Sequence, residues 1–297
     1  MCILHLFVKG GWGSMILEYI KVNPSGNTTV FVTTKVPKCL YAPIANIIMS
    51  KEYLAAEQVG YIVESNATES GKRMEMMGGE FCGNASRSFA AWLVLKSYTG
   101  ELAPEVSGKY SIPLDVSGYS GTLVAYVEKT PCDHSFYVTL EMPLPSDIKI
   151  GHHSMLGGDF CIVPFDGITH VILWDRIPKS DDIDIVKKYL QDNGIATDAF
   201  GVMFFDTKTD VLTPAVYIND VGSLVWENSC GSGSTAVIAA LTYKIKSGIE
   251  KTLHQPGGDL FVTSTWQNNK MQKICLSGKI DFTSEGMLFI DDNLLDI

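Results

Sequence analysis

Two widely separated stretches of this chain carry the same five-residue pattern, Cys82-Gly83-Asn84-Ala85-Ser86 and Cys230-Gly231-Ser232-Gly233-Ser234. Each is preceded by a strand-like segment and followed by a run of small and apolar residues, NASRSFAAWLVLKSY at 84–98 and STAVIAALTYKIKSG at 234–248. Both runs read as helices that are apolar nearly all round, so each must be buried on every side. Gly100 and Gly248 stand the same distance beyond the two cysteines and are the expected helix stops. A chain of 297 residues is long enough for two such units. The pattern predicts a duplicated α/β (α+β) architecture with each central helix wrapped by its own half's strands.

The rest of the chain fits that plan. LEYIKV and TTVFVTTKV read as strands around the turn Asn23-Pro24-Ser25-Gly26-Asn27. A helix is expected at 42–56, and strands at 59–63, 74–77, 110–113, 121–128 and 136–142. The second half repeats the outline, with strands near 160–174, a helix near 182–193, then strands at 201–205, 213–218 and 224–226. No Pro-, Gly- or Ser-rich linker divides the halves. The matching order of elements places the boundary near Val138 and gives domains of 15–138 with about 286–297, and 139–285.

A net charge of −10 argues against a nucleic-acid or anionic-membrane surface. No segment approaches the roughly 18 to 20 apolar residues of a membrane span. Seven cysteines with no Cys-x-x-Cys pair give no zinc signature and suit buried thiols in a reducing cytoplasm. Lys9-Gly10-Gly11 is what a translated ribosome-binding site would encode. Met15 is therefore the expected start, and residues 1–14 a mis-assigned extension.

The chemistry lies in the paired motif. A cysteine where a strand meets a helix faces unpaired backbone N–H groups and the positive end of the helix dipole. Its thiol pKa is expected to fall below the ordinary value, and the same N–H groups suit a carboxylate. Two such units facing one another would hold a thiolate and a thiol on opposite sides of one bound carbon. That geometry suits proton removal on one face and delivery on the other.

With Asn23-Pro24-Ser25-Gly26-Asn27, Glu57-Gln58-Val59-Gly60, Glu80-Phe81-Cys82-Gly83-Asn84, the run Trp226–Gly233 and His254-Gln255-Pro256-Gly257-Gly258 in view, the chain resembles the diaminopimelate epimerase-like superfamily. Within it, the chain is most similar to the histidine racemases of staphylopine-type metallophore pathways. The likeness runs from Met15 to about Phe289. It implies two pseudo-symmetric domains, each a strand-rich half-barrel around a central helix, and a cofactor-independent racemase acting on histidine without a metal. Cys82 and Cys230 match the acid/base pair, and Asn27 and Gln58 match substrate contacts. Gly83, Asn84, Gly231 and Ser232 match the segments that hold the α-carboxylate.

The departures from diaminopimelate epimerases concern the distal end of the substrate. Those enzymes carry asparagine where Ile168 stands and a Glu-Arg pair where this chain has Val221-Gly222. The lost arginine would clamp a distal carboxylate. Glu227, and less strongly Glu80, are candidates to accept an imidazole N–H, and His170 either lines the pocket or is structural. His152-His153 reads as an exposed loop pair. The expected partner is a small amino acid, with a homodimer left open and neither nucleic acid nor membrane involved. Three alternatives stay open: a racemase of diaminopimelate or a proline-like amino acid, a catalytically inactive amino-acid-binding homologue, and a pyridoxal-phosphate enzyme, for which no lysine is marked. The cysteine pair argues against a phenazine-biosynthesis-type isomerase.

Overall fold

The computed structural model describes residues 14–97, 108–195, 197, 199–219 and 223–295. The leading residues 1–13, Gly100 and Val221-Gly222 lie outside the described residues.

The first half runs β1 (Ser14–Asn23), β2 (Thr29–Val32), α1 (Tyr41–Met49), β3 (Gln58–Glu64), β4 (Lys72–Met76), α2 (Gly83–Leu95), β5 (Lys109–Val116), β6 (Leu123–Lys129) and β7 (Ser135–Met142). The chain continues through β8 (Lys149–His153), β9 (Gly158–Phe165), β10 (Ile168–Trp174), α3 (Ser180–Asp192), β11 (Ala199–Asp206), β12 (Val211–Ile218) and β13 (Ser223–Trp226). It ends with α4 (Gly231–Ile245), β14 (Glu250–Gln255), β15 (Gly258–Gln267) and the long β16 (Lys270–Asp291).

The strand pairings repeat. β2 and β3 are parallel around α1, as β10 and β11 are around α3. β3–β4 and β11–β12 are antiparallel. β4–β5 and β12–β14 are parallel, and these crossovers carry the cysteine-led helices α2 and α4. Antiparallel pairs β5–β6–β7 and β14–β15–β16 complete each half. The halves then exchange strands. β8, which follows the first set, pairs with β9 of the second, and the end of β16 returns to pair with β1. The middle of β16, Ile274–Asp281, pairs with β7 and joins the halves into one sheet.

Each central helix is enclosed as its pattern demands. α2 packs on β5, β6, β7 and β16, and α4 on β9, β10, β11, β15 and β16. Ala85 and Phe89–Val94 of α2 are buried together with Ala236–Ala240 of α4 in one continuous apolar core. Among the described residues no helix is long and apolar enough to cross a membrane.

Several local expectations need correction. The first helix stops at Met49 rather than residue 56, because Leu54 N–H turns back to the Ile48 carbonyl and Ala55 takes a left-handed φ of 46°. α2 ends at Leu95 and Ser97 carries the left-handed conformation (φ 57°), ahead of Gly100. α4 is closed by Lys246 at φ 55°, not by Gly248. Gly248 is needed for space instead, since a Cβ there would lie 2.7 Å from the Ser264 carbonyl oxygen. His152-His153 lies on β8, not in a loop, and His152 Nδ1 sits 2.6 Å from Asp159 Oδ1 on β9. The three strands β14–β16 were not read from the sequence.

Candidate active site

Both cysteines act as N-caps, and they do so identically. Cys82 (φ −131°, ψ 114°) and Cys230 (φ −117°, ψ 109°) are extended residues that end the approach to a helix. The Cys82 Sγ accepts the Ala85 N–H at 3.4 Å and the Cys230 Sγ accepts the Gly233 N–H at 3.3 Å. The motif's last serine explains its recurrence. Ser86 and Ser234 each donate their hydroxyl to the carbonyl of the cysteine four residues back, at 2.8 and 2.7 Å. Small residues after the cysteine let the two helix ends meet. A Cβ on Gly231 would lie 3.2 Å from Asn84 Oδ1 at the other helix start, and one on Gly233 only 2.2 Å from the Met203 sulfur.

A hydrogen-bonded chain connects the halves through the expected residues. Cys82 Sγ donates to Gln58 Oε1 (3.2 Å), and Gln58 Nε2 donates to Asn27 Oδ1 (2.8 Å). Asn84 Nδ2 reaches both Asn27 Oδ1 and the Ser229 carbonyl oxygen, each at 3.2 Å. On the far side, His170 Nε2 lies 3.0 Å from Ser232 Oγ, which is 3.6 Å from Cys230 Sγ. His170 is fully buried, and burial pulls its pKa down to about 3, so it is neutral at ordinary pH. It stands behind Ser232 and Cys230.

The expected lowering of the thiol pKa does not appear. The N–H bonds do favour thiolate, but burial outweighs them and pushes the Cys82 thiol up to about 11. Burial, then the neighbouring Glu227 carboxylate, raises the Cys230 thiol further above its usual range. Glu227 is itself pushed up to about 7 by burial, with Glu57 adding to the shift. Glu80 lies at the surface, with Oε2 accepting its own loop's Gly78 N–H at 2.9 Å.

Four residues without an assigned role also belong to the cluster. Glu57 bridges the halves, accepting from Asn27 Nδ2 at 2.9 Å and from Asn228 Nδ2. Gln255 Oε1 accepts the Cys230 N–H at 2.8 Å while its Nε2 donates to Ser234 Oγ at 3.0 Å. Glu57 and Gln255 sit in the motifs that carry the resemblance. Arg87 is fully buried on α2. Its signal was available: a single charge on a helix with no polar face has nowhere to go but inward.

Two cysteine-capped helices meet end to end inside a duplicated sheet, and this fold is shared with solved isomerases. A hydroxyproline epimerase from Agrobacterium vitis, solved with bound trans-4-hydroxy-L-proline, superimposes with a TM-score of 0.65 at 12% identity, over 93% of this chain and 92% of that one. Methylitaconate-delta-isomerase gives 0.58 at 13% identity, over 95% and 97% of the two chains. At these identities the likeness is one of fold. The model of the histidine racemase CntK N-terminal domain matches residues 16–289. The histidine racemase of Fusobacterium nucleatum subsp. nucleatum is 33% identical over 288 residues, covering 93% of this chain and 97% of that protein. That of Staphylococcus aureus is 29% identical over 286 residues, covering 93% and 98%. The chain belongs to the histidine racemase family and is an amino-acid racemase.

Proposed function

We propose that this racemase interconverts L- and D-histidine with Cys82 and Cys230 as its two bases, without a cofactor. One observation carries the reading: the two thiols cap two helices whose N-termini abut, joined by the Asn84–Ser229 bond. In this reading the N–H groups at Gly83, Asn84, Gly231 and Ser232, at the two helix starts, receive the substrate carboxylate. As the α-carbon loses its proton, charge builds on that carboxylate, and fixed N–H dipoles stabilise it without reorganising.

One thiolate takes the α-proton and becomes a thiol. The other thiol gives its proton to the opposite face and becomes a thiolate. The raised thiol pKa values suit this task. A buried thiolate is rare, but when formed it is a stronger base than a solvated one, and an α-proton is a very weak acid. Glu227, beside Cys230, is our candidate acceptor for the imidazole N–H. In this reading the halves comprise 15–138 with about 286–297, and 139–285, and the cleft between them is the site. Proton exchange at Cα in deuterium oxide tests the proposal. Wild-type enzyme should label both hands of histidine, and Cys82→Ser or Cys230→Ser should stop racemisation.

A further inference from the structure

Glu57 is a carboxylate that both halves hold and no cation pairs. It stands just before β3, and its backbone N–H donates to the Thr28 carbonyl at 2.9 Å, which fixes it beside the turn that carries Asn27. Its Oε2 accepts from Asn27 Nδ2 at 2.9 Å, and its Oε1 accepts from Asn228 Nδ2 of the other half. Among the described residues no lysine, arginine or histidine forms an ion pair with it. Two neutral amides therefore orient the carboxylate without neutralising it. An ionised carboxylate can accept at about four positions, two on each oxygen. Asn27 and Asn228 take one on each, and one on each is left for a further donor.

The place of Glu57 says what that donor is. Asn27 is buried, and its Oδ1 takes an N–H from Asn84, the second residue of α2. Asn228 stands two residues before Cys230, the cap of α4. Glu57 is thus one hydrogen-bonded side chain from the first helix start and a short step of chain from the second. Those starts are assigned above to the substrate carboxylate. In an α-amino acid the ammonium is bonded to the same carbon as the carboxylate, so its acceptor must flank the helix starts. Helix N-termini offer N–H donors to an anion and nothing that accepts from a cation. An ammonium drawn out of water needs an acceptor, and the half-buried Glu57 needs a cation. Each meets the other's need.

We propose that Glu57 binds the α-ammonium of the substrate, so that the site takes free α-amino acids and rejects acids whose amino group is missing or acylated. This role rests on the histidine racemase reading above. The bond also serves the chemistry. A carboxylate beside the amino group keeps it protonated, and the ammonium withdraws electrons from Cα as the α-proton leaves.

The test is calorimetric binding at neutral pH of racemic histidine, in which turnover makes no net change, against imidazole propionate, which is histidine without its amino group. Wild-type enzyme should prefer histidine by at least about a hundredfold, since the analogue leaves Glu57 without its donor. Glu57→Gln should weaken histidine binding and bring that preference below about tenfold, while imidazole propionate binds as well as before or better. Glu227→Gln, which alters the proposed imidazole contact common to both ligands, should weaken both and keep the preference. Glu57→Gln weakening both ligands equally overturns the proposal, because a residue that only joins the halves acts on every ligand alike. A loss of the preference in Glu227→Gln but not in Glu57→Gln also overturns it. The wild-type comparison stands even if Glu57→Gln does not fold: equal affinity for the two ligands overturns this role alone. Wild-type enzyme that binds neither ligand overturns it together with the histidine reading.

Discussion

The side-chain amide of Asn84 donates to the backbone carbonyl of Ser229 at 3.2 Å, tying the start of one central helix to the residue before the other half's cysteine. The same amide oxygen holds Arg87, so a single buried side chain links the two helix ends and a buried charge. Asn84→Ala removes all of this at once. A guanidinium left wholly without a partner costs about 1–3 kcal/mol, which for a protein of this size lowers Tm by several degrees. We expect kcat/KM for histidine to drop at least about a hundredfold, since the backbone proposed to hold the carboxylate loses its anchor. Thermal melts and steady-state kinetics of the variant check both parts.

Cys82→Ser and Cys230→Ser should fold like the wild type. Serine is among the preferred N-cap residues, so the bonds from Ala85 and Gly233 have a ready acceptor. A hydroxyl is a far weaker acid than a thiol, and turnover should fall by about a thousandfold or more. Circular dichroism beside a chiral assay of histidine decides this. Wild-type turnover in either variant would remove the proposed mechanism.

Stability should depend on pH through Glu227 and the buried His170, with opposite signs. Glu227 is held at about 7 in the folded protein against an ordinary value near 4.5. Its stabilising contribution is present below pH 4.5 and is lost as pH rises through 7. His170 is held at about 3 against 6.5, so its contribution is present above pH 6.5 and is lost as pH falls toward 3. Melting temperatures of wild type and Glu227→Gln between pH 5 and 8 isolate the first effect. The wild type should lose stability relative to the variant as pH rises, and parallel curves would contradict the assignment.

Diaminopimelate should be turned over poorly or not at all. Ile168 opens β10 and Gly222 precedes β13; the resemblance to diaminopimelate epimerases implies an amide at the first position and, at the second, an arginine that pairs a distal carboxylate. An unpaired carboxylate in a dry pocket costs several kcal/mol, enough for roughly a thousandfold rejection. A neutral imidazole carries no such penalty. Glu227→Gln should weaken turnover of histidine while the thiols still react with iodoacetamide. Competition between the two amino acids, compared as kcat/KM, gives the answer directly.

The duplicated motif was legible because its cause is local. Cys, a small residue and a serine four positions on are what a cysteine-capped helix needs, and both copies show it. The apolar helices likewise declared their burial. The ends of those helices misled, because Ser97 and Lys246 adopt left-handed backbone that glycine would ordinarily supply. The thiol pKa was misjudged for a different reason. Helix-end N–H groups are visible in sequence, whereas burial around them depends on how two distant halves close. Glu57 and Asn228 meet only through that closure, whereas Gln255 reaches Cys230 within its own half, from a strand the sequence pattern did not reveal.

The exchange of strands between the halves bears on how the chain acquires its structure. Ser14 at the start of β1 pairs with Asp291 at the end of β16, so β1 waits for a strand that lies far downstream in the chain. On a ribosome, the emerging first half would spend its time with β1 open along one edge, a surface inviting wrong partners. Contacts between such remote residues also slow the search for the native state. Removal of residues 286–297 should therefore act out of proportion to its length, leaving β1 partly unpaired along one edge and the protein prone to self-association.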